Sequence, residues 1–141
     1  MRWERSAQHT SQGANVPNIE DCLRQLMAIH GAICASVIDY PTGLTVGSLG
    51  RGPNGPDGAT SAGAVRLVHA TADTAAFATV GRPGQVEDIV ITAGNGYHLV
   101  HLLVNGFDGR LVLYVWLDRM LGNIAMTQRS LHSIGAQLSA T

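Results

Sequence analysis

Val86-Glu87-Asp88-Ile89-Val90-Ile91-Thr92-Ala93 runs into Gly94-Asn95-Gly96 and out again through Tyr97-His98-Leu99-Val100-His101-Leu102-Leu103-Val104. The first arm reads as a strand over 86–93 and the second as its partner over 97–104. Between them lies an Asn-Gly step, the pair favoured in tight hairpin turns because both positions accept positive φ. Asn105-Gly106-Phe107-Asp108-Gly109 forms a longer turn, and residues 110–117 read as a last strand. Three strands joined by hairpins make an antiparallel meander. Ile89-Val90-Ile91 and Leu111-Val112-Leu113 put apolar side chains on both sides of the sheet. Both faces must therefore be covered.

Upstream, Ile19, Cys22, Leu23, Leu26 and Ile29 recur at helical spacing. Asn18 is placed to cap that helix, Glu20 and Asp21 suit its positive end, and Gly31 is placed to stop it. Residues 32–39 read as a strand and 44–48 as its return, joined by Tyr40-Pro41-Thr42-Gly43, a proline–glycine turn. Residues 49–58 hold too much glycine and proline for a regular element. An alanine-rich helix follows over 59–80, with Val65, Leu67, Val68, Ala72 and Phe77 on its apolar side and Thr60 or Ser61 as cap. Downstream, Asp118 is expected to cap a closing helix carrying Leu121, Ile124, Ala125, Gln128, Leu131, Ile134 and Leu138 at helical spacing. The order is helix, two strands, helix, three strands, helix. The expected fold is an α+β sandwich, a five-stranded antiparallel sheet with the first and last helices on one face and the middle helix on the other.

With 141 residues the chain is long enough for one core and too short for two. Residues 1–17 are polar and aperiodic and read as a tail dispensable for folding. They contain no apolar segment of the signal-peptide kind, and no stretch nears the roughly 20 apolar residues of a membrane helix, so a cytoplasmic location is expected. The formal net charge is −1 and lysine is absent. A nucleic-acid binder needs a basic footprint, which is missing. Only 13% of residues are charged. Either a partner covers part of the surface, or the sequence is simply rich in alanine and glycine. Cys22 and Cys34 read as buried, reduced thiols, with a bridge between them left geometrically open.

Several segments resemble the roadblock/dynein light chain family. Ile29-His30-Gly31-Ala32 leading into Ser36-Val37-Ile38-Asp39 is similar to its opening, and Thr42-Gly43-Leu44-Thr45-Val46 to its return strand. Glu87-Asp88-Ile89-Val90-Ile91 with Tyr97-His98-Leu99-Val100 resembles its central hairpin. Leu113-Tyr114-Val115-Trp116-Leu117, Asp118 and Leu121-Gly122-Asn123-Ile124-Ala125 resemble the closing strand and final helix. The resemblance covers about residues 18–139. It implies a dimer, homomeric or heteromeric, that acts beside Ras-like GTPases or motor complexes and is not itself an enzyme.

The candidate chemistry is sparse. His98 and His101 are three apart on a strand and point to opposite faces. His30, His69 and His132 sit on separate elements, so no spaced ligand set emerges and no metal is expected. Glu87 and Asp88 are neighbours on a strand and face apart, which does not suit paired acid/base work. No motif frames Ser36, Cys22 or Cys34 as a nucleophile. Without lysine there is no phosphate-binding loop, and no cofactor is expected. Arg51, Arg66 and Arg82 are the candidates for contact with a GTPase partner. Their bland reading is solvated surface arginine. The dimer seam is expected at Ala62, Gly63, Arg66, His69 and Ala70 of the middle helix and at Glu87, Ile89, Val90 and Ile91 of the strand that starts the meander. The competing readings are a small-molecule sensor of the PAS, GAF or profilin kind, which needs a preformed apolar pocket, and a purely structural dimerisation subunit.

Overall fold

The computed structural model describes residues 18–55, 58–72, 75–77, 86–103 and 111–139. Its elements are α1 (Ile19–Met27), β1 (Ala32–Asp39), β2 (Leu44–Gly50), α2 (Gly58–Ala72), a 3-10 turn (Ala75–Phe77), β3 (Asp88–Ala93), β4 (Gly96–Leu102), β5 (Leu111–Leu117) and α3 (Ile124–Ser139). The order is the expected one. Residues 1–17 and 105–109, read above as tail and turn, lie outside the described residues.

The five strands form one sheet in the order β2-β1-β5-β4-β3, with every neighbouring pair antiparallel. β1 and β5 are central, and β2 and β3 are the edges. Successive side chains on a strand point to opposite faces, and the two cores sort accordingly. Leu23 and Leu26 of α1 and Leu131, Ile134 and Leu138 of α3 pack on Val37, Leu99, Leu113, Val115 and Leu117. Across the sheet, Ala64 and Val68 of α2 pack on Cys34, Ile38, Val100, Val112 and Tyr114. β5 contributes to both clusters, which explains its uninterrupted apolar run. Each such leucine or valine stabilises the fold by about 1.5–3 kcal/mol when fully buried. The sheet also separates the cysteines. Cys22 belongs to the α1–α3 side and Cys34 to the α2 side, and neither is in a disulfide. Burial, with the Asp21 carboxylate adding to it, pushes the Cys22 thiol up to about 12.

The helix ends follow local chemistry. The Asp21 amide donates to Asn18 Oδ1 at 2.9 Å, the expected cap. Arg24 pairs with Glu20 one turn earlier at 3.0 Å. Gly31 has φ +88°, and a Cβ there would meet the Gly122 backbone at 3.0 Å. It does not stop α1, which ends at Met27 with Ala28 as its C-cap, but it lets the turn after β5 close over the connection into β1.

Four boundaries differ from expectation. Asp118 does not cap the last helix. Its Oδ1 accepts from the amides of Met120 and Leu121, so it organises a separate turn, and Asn123 Oδ1 caps α3 by accepting from Met126. Leu121 therefore sits exposed on that turn, outside the buried stripe. α2 covers Gly58–Ala72 and Ala75–Phe77 is a 3-10 turn, where the alanine-rich composition implied one continuous helix, and β2 continues through Leu49 and Gly50. In the central hairpin Ala93 pairs with Gly96, so the two-residue loop is Gly94-Asn95. Gly96 is needed for space, because a Cβ there would meet the Leu117 carbonyl oxygen and come within 2.7 Å of Trp116 Nε1.

Candidate functional site

β3 is an edge strand, and its two faces have different fates. Ile89 lies opposite Val100 and is half-buried against the α2 core. Val90 and Ile91 remain 37% and 40% exposed. Edge strands carry unpaired backbone groups and are commonly guarded by lysine, proline or a bulge. β3 has no proline or lysine and pairs with β4 without a register break. Glu87 is exposed just before the strand. Of the seam residues expected at and just before β3, Ile89 is therefore largely committed to its own core.

α2 turns a distinct face outward. Ser61, Ala64 and Val68 are buried, while Ala62, Gly63, Arg66, His69 and Ala70 are exposed. The Ser61 and Thr45 hydroxyls share a hydrogen bond of 2.5 Å that ties α2 to β2. Tyr40 meets the His69 ring edge-on at 5.6 Å. No Cβ contact within 4 Å awaits a side chain at Gly63. All five residues expected on the helix seam thus share one open face. Arg51 is exposed beside the turn closed by Gly52 and Gly55, and Arg66 is exposed on α2. Arg82 lies outside the described residues.

The histidines separate as the strand period requires. On the α2 face, His98 stacks nearly flat on Trp116, with ring centroids 5.9 Å apart and planes 5° apart. The Tyr114 hydroxyl and His98 Nδ1 share a hydrogen bond of 2.8 Å, and His98 Nε2 is 3.4 Å from Asn95 Oδ1. Burial lowers the His98 pKa, so the neutral ring is the form held here. Burial, followed by the neighbouring Cys34 thiol, raises that of Tyr114.

On the opposite face the fold assembles a cluster that spacing along the chain does not reveal. Asp88 of β3 sits across from His101 of β4. Asp88 Oδ1 is 2.7 Å from His101 Nδ1, and Asp88 Oδ2 is 2.8 Å from His132 Nε2 on α3. The imidazole centroids are 4.4 Å apart. His101 is buried, Asp88 half-buried and His132 exposed. Gly135, one helical turn beyond His132, makes the approach possible. A Cβ at that position would come within 2.9 Å of His101 Nε2 and 2.7 Å of Leu103 Cδ2. One signal was available in the sequence. With the loop fixed as Gly94-Asn95, the hairpin register places Asp88 opposite His101. The third member, 44 residues from Asp88, depends on how α3 packs.

Two other surface features stand out. Met120, Leu121 and Met126 are exposed apolar side chains around the start of α3. An open groove of about 170 Å³ lies between α1 and α3, lined by Asn18, Asp21, Cys22, Gln25, Ile134, Gln137 and Leu138. It is smaller than the roughly 300–1,000 Å³ of ligand pockets. No helix among the described residues is long and apolar enough to cross a membrane.

No family model and no curated protein matches the sequence. Solved structures match its fold. A Roadblock/LC7 domain from Streptomyces avermitilis superimposes with a TM-score of 0.66 at 16% identity, over 82% of this chain and 90% of that one. MglB from Myxococcus xanthus gives 0.67 at 16% identity, over 84% and 82%. A structure of MglB with a tetrameric arrangement gives 0.67 at 15% identity, over 85% and 84%. At such identities the likeness is one of architecture, and the chain has the roadblock/LC7 fold.

Proposed function

We propose that the chain is a non-catalytic dimeric adaptor that binds a small Ras-like GTPase and modulates its GTP hydrolysis. The observation that carries this reading is the unguarded β3 edge, with Val90 and Ile91 exposed, together with the open small-residue face of α2. Two copies related by a two-fold axis would join such edges, the commonest closed arrangement. The MglB structure with a tetrameric arrangement supports self-association of this fold. The GTPase partner follows from the resemblance of the sequence segments to the roadblock family. A dimer would present Arg51, Arg66 and Arg82 twice, as a basic complement to phosphate or acidic loops.

The test uses purified chain and the Ras-like GTPases of the same organism, each loaded with GDP or with a non-hydrolysable GTP analogue. The chain alone should show no GTP binding by calorimetry at micromolar concentrations. One GTPase should co-elute with it in a nucleotide-dependent manner, with altered hydrolysis, and Arg66→Ala should weaken that complex. GTP binding by the isolated chain, or failure of every such GTPase to bind, would overturn the reading.

A further inference from the structure

We propose that Asp88, His101 and His132 form a binding site for a zinc-class divalent ion that clamps α3 onto the β3–β4 hairpin. One donor atom from each residue lies within 4.8 Å of the other two. Two imidazoles and a carboxylate suit zinc and its transition-metal neighbours, whereas magnesium and calcium prefer oxygen alone. The donors come from three elements held together by the core, so the ligand set is preassembled by the fold.

The two nitrogen–oxygen separations are now 2.7 and 2.8 Å, hydrogen-bond distances. A tetrahedral ion with ligand bonds of about 2.0–2.1 Å holds its ligands about 3.3 Å apart. Opening these two contacts by about half an ångström, and drawing in the remaining donor separations, which lie within 4.8 Å, turns the bridge into a coordination shell in which three metal–ligand bonds replace two hydrogen bonds. His101 is buried, and its Nε2 faces Gly135, where an added Cβ would come within 2.9 Å of it. That leaves Nδ1 as its donor, the atom already facing Asp88. His132 is 44% exposed at its side chain, which gives the ion a path from solvent and leaves a fourth position for water. Three protein ligands and an open position is a common zinc arrangement. The bland alternative is a carboxylate hydrogen-bonded to two imidazoles with no affinity for metal.

The full chain, freed of metal with a chelator, is titrated with zinc sulfate in competition with a chromophoric chelator. One equivalent per chain should bind with a Kd in the low micromolar range or tighter, and one equivalent of zinc should raise Tm by about 5 °C. Cobalt(II) should give the intense visible bands of a tetrahedral site. His132→Ala, a change at an exposed position, should weaken zinc binding by at least about tenfold and remove the rise in Tm. His101→Gln should do the same where it folds, and His30→Ala on an exposed turn should change neither. Equal zinc affinity in His132→Ala and the unaltered chain would overturn the site, as would the absence of stoichiometric binding. These readouts involve no GTPase and no dimer, so they stand or fall apart from the adaptor reading.

Discussion

At the residue scale, the two strand histidines have the same side chain and opposite surroundings. His98 shares a hydrogen bond with Tyr114 and stacks on the Tyr114 and Trp116 rings, and burial holds its pKa below the ordinary value of 6.5. The folded state thus resists a proton that the unfolded chain accepts. Its stabilising contribution is complete above about pH 6.5 and is lost as the pH falls from there toward the depressed folded value. Tm should therefore drop between pH 7.5 and 5.5, and His98→Gln should flatten that drop. Thermal melts of both proteins at the two pH values provide the check. The difference between them isolates His98 from Asp88, His101 and His132, which are present in each. Equal slopes would mean that His98 carries no proton linkage. Single residues were partly legible in the sequence. The opposite orientation of His98 and His101 follows from strand period alone. The separation of Cys22 from Cys34 does not, because it depends on which helix covers which face.

At the element scale, periodicity and turn chemistry were enough to order the helices and strands, because each buries a face of its own. Ends were less legible. Asp118 and Asn123 are both good caps, and the turn between them is a separate unit held by the Gly122 amide on the Asp118 carbonyl and by the Asp118 amide on the Gly31 carbonyl. The end of α2 was hidden because alanine continues past Ala72 without a change of pattern. Within α2, Gly63 offers a test of what covers the helix. It is exposed, with nothing within 4 Å of an added Cβ. In a helix open to solvent, Gly63→Ala should stabilise the fold by about 1 kcal/mol, the cost of glycine in a helix interior. Where a second α2 packs closely on that face, the same methyl group should weaken dimerisation. Denaturant unfolding and sedimentation of Gly63→Ala read the two effects separately. A variant both more stable and undiminished in association would place the dimer seam away from Gly63.

At the scale of the whole molecule, the sheet order β2-β1-β5-β4-β3 sends the chain from one edge to the other through α2. Hairpin reading predicts that β3 is an edge. It does not predict the cluster joining β3, β4 and α3, because His132 reaches Asp88 only through the packing of α3 on the sheet. The sequence offers Ile89-Val90-Ile91 as one apolar run, yet the structure divides its work. Ile89 serves the α2 core, so proline there would damage fold and seam together. Ile91 is the cleaner probe, since it is 40% exposed. A lysine at that position keeps the strand intact and introduces the charge that natural edge strands use against pairing. In a two-fold dimer the charge appears twice at the seam, so repulsion adds to the desolvation cost. The unaltered chain should sediment at micromolar concentration as twice its 14.8 kDa, and Ile91→Lys should sediment as a monomer with an unchanged circular dichroism spectrum. Val90→Lys, on the other face of the same edge, should also weaken the dimer. A monomeric unaltered chain would remove the two-fold surface on which the GTPase reading rests. A dimer that tolerates both lysines would move the seam to other exposed apolar side chains, such as Leu44 and Val46 on β2 or Met120 and Met126 by α3.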